Sequence, residues 1–122
     1  MKIKLKKYPR KFLVGNKTTF YIKDMGKIYL EPDEQLTFIT EKKKQYDVCR
    51  KNWGFYATPS INSRLKRENF KTAIVKNSLD RIYIMIIEKN HMSKFKKYCK
   101  DHKQKVLFWL DKYNKNNLLI KK

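Results

Sequence analysis

The sequence predicts a single α+β domain over residues 1–111, followed by a polar tail at 112–122: an N-terminal antiparallel β-meander continues into a βαββαβ half with two helices. Three observations carry this reading. The first fifty residues alternate apolar and charged positions at period two and are broken by turn residues, the pattern of antiparallel strands. From Tyr46 onward, runs rich in β-branched residues are separated by two stretches with helical spacing. A chain of 122 residues with 41% hydrophobic content can also bury a core, since a chain of this size hides about two thirds of its unfolded surface.

Ile3 and Leu5 alternate with Lys2, Lys4 and Lys6, giving a strand with one apolar and one basic face. Val14 to Asn16 reads as a turn. Thr18 to Asp24 alternates again, and Gly26 reads as the glycine of a second turn. Lys27 to Glu31 is a short strand stopped by Pro32, which has no N–H to give to a ladder. Glu34 to Thr40 and Tyr46 to Arg50 are further strands, joined across "EKKKQ". Ser60 is placed to cap a helix from Ile61 to Glu68, in which Ile61 and Leu65 lie four apart. "FKTAIVK" and "RIYIMIIE" are strands joined at Asn77–Asp80. Because Ile82 to Ile87 is apolar at both parities, it is expected to be a central strand covered on both faces. Asn90 then caps a helix with Met92, Phe95, Tyr98, Cys99 and His102 at helical spacing, and "KVLFWL" is the last strand. From Tyr46 the order is that of the split βαβ unit of ferredoxin-like domains. An extended antiparallel sheet with both helices on one face is the alternative.

The formal net charge is +20, from 31 basic and 11 acidic residues. Of the basic residues 26 are Lys and five are Arg. That bias is what an AT-rich genome writes at permissive surface positions, and it is also what attracts polyanions. Weak nonspecific attraction to nucleic acid follows from Coulomb's law on either reading. Bidentate recognition of phosphate or guanine is less favoured, because Arg is scarce. Residues 1–12 carry six basic groups and no acid, whereas residues 24–41 carry five acids against one Lys. Cys49 and Cys99 lie 50 apart, with no disulfide or zinc spacing, so a reduced cytoplasmic protein is expected. No apolar run reaches 18 residues, and none has the form of a signal peptide.

The stretch from Tyr46 to Asn69 concentrates the chemistry. There the chain leaves a strand at Arg50 and Lys51, passes Trp53 and Tyr56, and enters a helix near Ser60. A helix N-terminus favours phosphate or carboxylate. Arg50, Lys51 and Arg64 would add charge. Thr58, Ser60 and Asn62 would add directed hydrogen bonds, and Trp53 or Tyr56 a stacking surface. The site expected here binds an anionic ligand; the competing reading is an aromatic core corner at a helix entry. Gly54 stands alone, so this is no phosphate loop. Cys99, His102 and His91 are too few for a metal site, and no metal or other cofactor is expected. The carboxylates of residues 24–41 sit around turns, and no catalytic residue is assigned. For nucleic acid, the lysines of residues 94–105 could track a backbone, but Tyr83, Met85 and Ile87 lack the paired aromatics of sheet-based RNA binders.

"YDVCRKNWGFYATPSINSRLKRENFKTAIVKN", with "YLEPDEQLTF" before it and "IYIMIIEK" after it, resembles a set of small bacterial proteins sharing a YDV–RK–WGFYATPS–N–RL pattern. The resemblance covers roughly residues 8–111. It implies a bacterial accessory protein working beside the sugar-nucleotide enzymes of surface-sugar biosynthesis, and it brings no catalytic residue. The expected function is non-enzymatic binding of an anionic small molecule, of phosphate or sugar-nucleotide type, or of a protein partner. A basic nucleic-acid-binding protein is the alternative, and a small enzyme of sugar metabolism the third reading. Oligomeric state stays open.

Overall fold

The computed structural model describes residues 1–14 and 20–112. It is an α+β protein dominated by antiparallel strands with two α-helices. Its described residues fall into two compact units, one built from 1–14 and 20–59, the other from 60–112. Most of the polar tail, from residue 113, and most of the turn expected at Val14–Asn16 lie outside the described residues.

In the first unit β1 (Lys2–Val14) and β2 (Phe20–Tyr29) form a two-stranded antiparallel ribbon. The register pairs Ile3 with Ile28 and Lys4 with Lys27, then shifts between Leu5 and Arg10. Gly26 is therefore not the turn residue expected. It sits inside β2 opposite Leu5, at φ +129, and a Cβ there would come within 2.0 Å of the Lys4 carbonyl oxygen. Only glycine lets the two backbones approach this closely in that conformation. Asp24 anchors the irregularity, accepting from Lys6 Nζ at 2.7 Å and from the Gly26 N–H at 3.2 Å.

After the turn at Pro32, β3 (Gln35–Ile39), β4 (Gln45–Lys51) and β5 (Gly54–Ala57) form a second antiparallel sheet in that order. Asp33 and Lys43 take the left-handed conformation at the two β-turns, with φ of 68 and 61. One face of this sheet buries Asp47 and Cys49.

In the second unit α1 (Arg64–Arg67) is a single turn, shorter than the expected helix from Ile61 to Glu68. Ser60 uses its hydroxyl to receive the Arg64 N–H at 2.9 Å and its carbonyl to receive the Leu65 N–H, also at 2.9 Å. Residues 61–63 are thus spent on turn geometry. Asn69, at φ 63, ends the element. Only Leu65 points inward, 1% exposed.

β6 (Phe70–Lys76), β7 (Ile82–Glu88) and β8 (Lys105–Trp109) form an antiparallel sheet ordered β7-β6-β8. α2 (Met92–Asp101) follows β7 through a 3-10 turn, Lys89–His91, and no side chain caps its start, Asn90 included. Ala73, Val75 and Ile87 make the core, with Met85, Met92, Phe95, Val106 and Trp109 packed on it. Where β8 ends, the Asp111 carboxylate takes over the ladder, accepting the Thr72 N–H at 3.3 Å. The chain order strand, helix, strand, strand, helix, strand is present from β4 to β8, with β5 added before α1; β4 itself pairs with β3 and β5.

The central place expected for Ile82–Ile87 belongs to β6. β7 is an edge strand, and Ile82 and Ile84 are 60% and 69% exposed. Apolarity at both parities describes a strand's composition; the number of its hydrogen-bonded neighbours depends on its partners.

Candidate functional site

The residues of the expected ligand corner are divided between the two units. Arg50, Lys51, Trp53, Tyr56 and Thr58 belong to the first unit, and Ser60, Asn62 and Arg64 to the second. Within the first unit the register divides them again. Directly opposed residues of an antiparallel pair share a face. Arg50 opposes Phe55, while Cys49 opposes Tyr56 and Lys51 opposes Gly54. Arg50 therefore lies on one face of the sheet, and Lys51 and Tyr56 lie on the other.

Several of these polar groups are already engaged. The Lys51 ammonium donates to the Asp33 carboxylate, which raises the Lys51 pKa and keeps it charged. The Thr58 hydroxyl faces the Asp47 carbonyl at 3.5 Å, and the Thr58 N–H donates to the same oxygen at 3.0 Å. Ser60 is spent on the Arg64 N–H, and Arg64 Nε lies 3.3 Å from Glu68 Oε1. Asn62 is exposed. A one-turn helix supplies too few aligned peptides for the expected dipole. What remains is the pair Trp53 and Tyr56, with ring centroids 6.2 Å apart and planes 23° from parallel. They are 69% and 45% exposed, so this is no buried core corner. They make an aromatic ledge at the β4–β5 turn, beside Lys51.

The most concentrated charge is on the ribbon. Along β2 the residues of one parity are Tyr21, Lys23, Met25, Lys27 and Tyr29. Opposite them on β1, and so on the same face, are Leu13, Lys11, Lys4 and Lys2. Five lysines, all exposed, thus share a face that carries no carboxylate, and none of the five has a carboxylate partner among the described residues. The Lys4 ammonium lies 5.5 Å from the centre of the Tyr29 ring, as the shared face requires. Tyr21 is 66% exposed and Tyr29 46%. At one end Lys2, Lys4, Tyr29 and Glu31 border a depression of about 480 Å³. The ribbon's sole acid, Asp24, is on the opposite face, where Lys6 depresses its pKa by direct hydrogen bonding.

This face was half visible in the sequence. "KIKL" puts Lys2 and Lys4 at one parity, and "YIKDMGKIY" does the same for Lys23 and Lys27. Only the register shows that the two sets of lysines stand side by side. By contrast, the Lys94–Lys105 series is scattered, and Lys97 is tied to Asp101 at 2.8 Å.

Cys99 is half-buried, and burial pushes its thiol pKa up, away from the nucleophilic thiolate. His102 packs against Tyr98, with ring centroids 4.7 Å apart. Among the described residues no three His, Cys, Asp or Glu side chains gather as metal ligands, and no helix is long and apolar enough to cross a membrane. Comparison with family models, curated proteins and solved structures gives no match to this chain.

Proposed function

We propose that this protein is a non-enzymatic binding protein for an anionic partner, and that the partner is nucleic acid met by the basic face of the β1–β2 ribbon. One observation carries the reading: Lys2, Lys4, Lys11, Lys23 and Lys27 share one face with exposed Tyr21 and Tyr29, neither strand places a carboxylate on it, and Glu31 stands only at its end. Lys2 and Lys4, two apart on β1, repeat at about 6.8 Å, and Lys23 and Lys27, four apart on β2, at about 14 Å. Ammonium groups at that spacing suit a polyphosphate backbone, and interleaved aromatic rings suit unstacked bases. A cytoplasmic setting agrees with the free thiols of Cys49 and Cys99. The pattern shared with small bacterial proteins suggests an accessory role.

The test is fluorescence anisotropy with a 20-nucleotide single strand. If about five phosphates are neutralised, affinity should fall about a hundredfold between 50 and 200 mM salt. Replacing Lys2, Lys4, Lys23 and Lys27 by Gln should abolish most of that slope. Replacing Lys94, Lys96, Lys97 and Lys100 should change it little. Equal losses from both sets would leave only diffuse charge and refute the ribbon as the site.

The Trp53–Tyr56 ledge supports a second reading, a ring-bearing anion such as a sugar nucleotide held beside Lys51. Thermal stabilisation by sugar nucleotides, lost in Trp53→Ala, would favour it. A ligand at 100 times its Kd adds about 2.7 kcal/mol.

A further inference from the structure

Between β7 and α2 runs a groove of about 470 Å³. One side is lined by four consecutive residues, Met85 to Glu88; the other by His91, Lys94, Phe95 and Tyr98, one helical face at i, i+3, i+4 and i+7. Neighbouring strand residues point to opposite faces of a sheet. A groove touched by both Ile86 and Ile87 therefore opens at the edge of the sheet.

Among the described residues that edge is unpaired: β7 bonds to β6 on one side and to no strand on the other. Natural edge strands are normally protected by charge, proline or a bulge. From Ile82 to Ile87 this strand has neither charge nor proline, and its pairing to β6 is regular throughout. The helical wall leaves room beside the edge, and the lengths agree: four strand residues span about 13 Å, and His91 to Tyr98 about 10 Å along the helix.

We propose that the free edge of β7 and the facing side of α2 form a docking groove for an extended acidic peptide segment of a partner protein, which adds as a fourth strand to the β7-β6-β8 sheet. Main-chain hydrogen bonds would supply affinity, as in other strand-addition complexes, and alternate side chains specificity. Lys94 is exposed, lines the groove and has no carboxylate partner among the described residues, while the Glu88 carboxylate in the same lining has the His91 imidazole 3.9 Å away, so a carboxylate of the peptide fits over Lys94. Met85 and Phe95 offer an apolar seat for the next side chain inward. Charge also decides between occupants. A second copy would bring another Lys94 and a net charge of +20 to the same edge.

The probe is a fluorescein-labelled peptide, acetyl-Glu-Val-Glu-Ile-Glu-Val-Glu-amide, together with two analogues N-methylated at alternate amides, one for each parity. All three carry the same charge. The expected result is at least tenfold weaker binding for one analogue only, a similar loss in Lys94→Glu, and slowed amide exchange in β7 when the unmethylated peptide is bound. Equal binding of all three peptides, or slowed exchange confined to the β1–β2 ribbon, would reduce the interaction to charge and overturn the proposal. So would a dimer in solution whose outward β7 amides are already protected without peptide.

Discussion

The β1–β2 ribbon and the β7-β6-β8 sheet are both antiparallel, yet they bury very different amounts of surface. In the sheet, Ala73 and Val75 are fully buried and α2 covers one face. In the ribbon, Ile3, Leu5 and Leu13 are 52%, 70% and 56% exposed. The difference lies in the layers. A strand buries side chains only where a second layer lies over its face, and two strands with only each other as neighbours are marginal in water. The sheet acquires its layer from α2, whereas the ribbon holds itself by register and leaves its side chains exposed.

The comparison can be broken most directly by matched truncations. Leu65→Ala in the second unit should cost about 2–4 kcal/mol, the usual range for a buried leucine. Leu5→Ala on the ribbon should cost less than about 0.5 kcal/mol, as at exposed sites. Chemical denaturation of both variants measures the contrast, and equal losses would mean that the ribbon has a core of its own.

A smaller effect tests how the ribbon holds itself. Gly26→Ala meets the Lys4 carbonyl and a forbidden φ, a strain on the order of 1–3 kcal/mol. Amide exchange should quicken along residues 2–14 and 20–29 and stay unchanged in β6. Quickening in both units would show that the ribbon and the sheet unfold together.

The smallest effect is electrostatic. Lys6 and the Gly26 N–H lower the Asp24 pKa below 3.8, and Lys97 does the same for Asp101. A carboxylate depressed in the folded state contributes stability above its unfolded pKa, and that contribution disappears as pH falls through the folded value. Both pairs are solvent-exposed ion pairs, so each loss should be modest and screened by salt. A thermal titration from pH 6 to pH 2 at low salt should therefore show Tm falling below about pH 4. A Tm independent of pH there would remove the Asp24 anchor from the account of the bulge.

Much of the fold was legible because its signals are local. Period-two alternation located most of the N-terminal strands, β-branched runs located β6 and β7, and the helical spacing of Met92, Phe95 and Tyr98 located α2, while β5 was read as part of the passage from strand to helix. What was misread was non-local. Gly26 resembles any turn glycine until Leu5 is placed across from it. Ile82 to Ile87 resembles a central strand until β6 is seen to hold that position. The anionic corner was assembled from residues adjacent in sequence, but Arg50 and Tyr56 lie on opposite faces of one sheet, because strand parity separates neighbours that sequence proximity joins.

By itself the sequence determined the α+β class and the excess of positive charge, since both follow from composition and periodicity. Tertiary structure alone decided which lysines stand together, which of the described strands lies at a sheet edge and which hydroxyls are already bonded. Those depend on register and strand order, which arise from contacts between residues far apart in the chain.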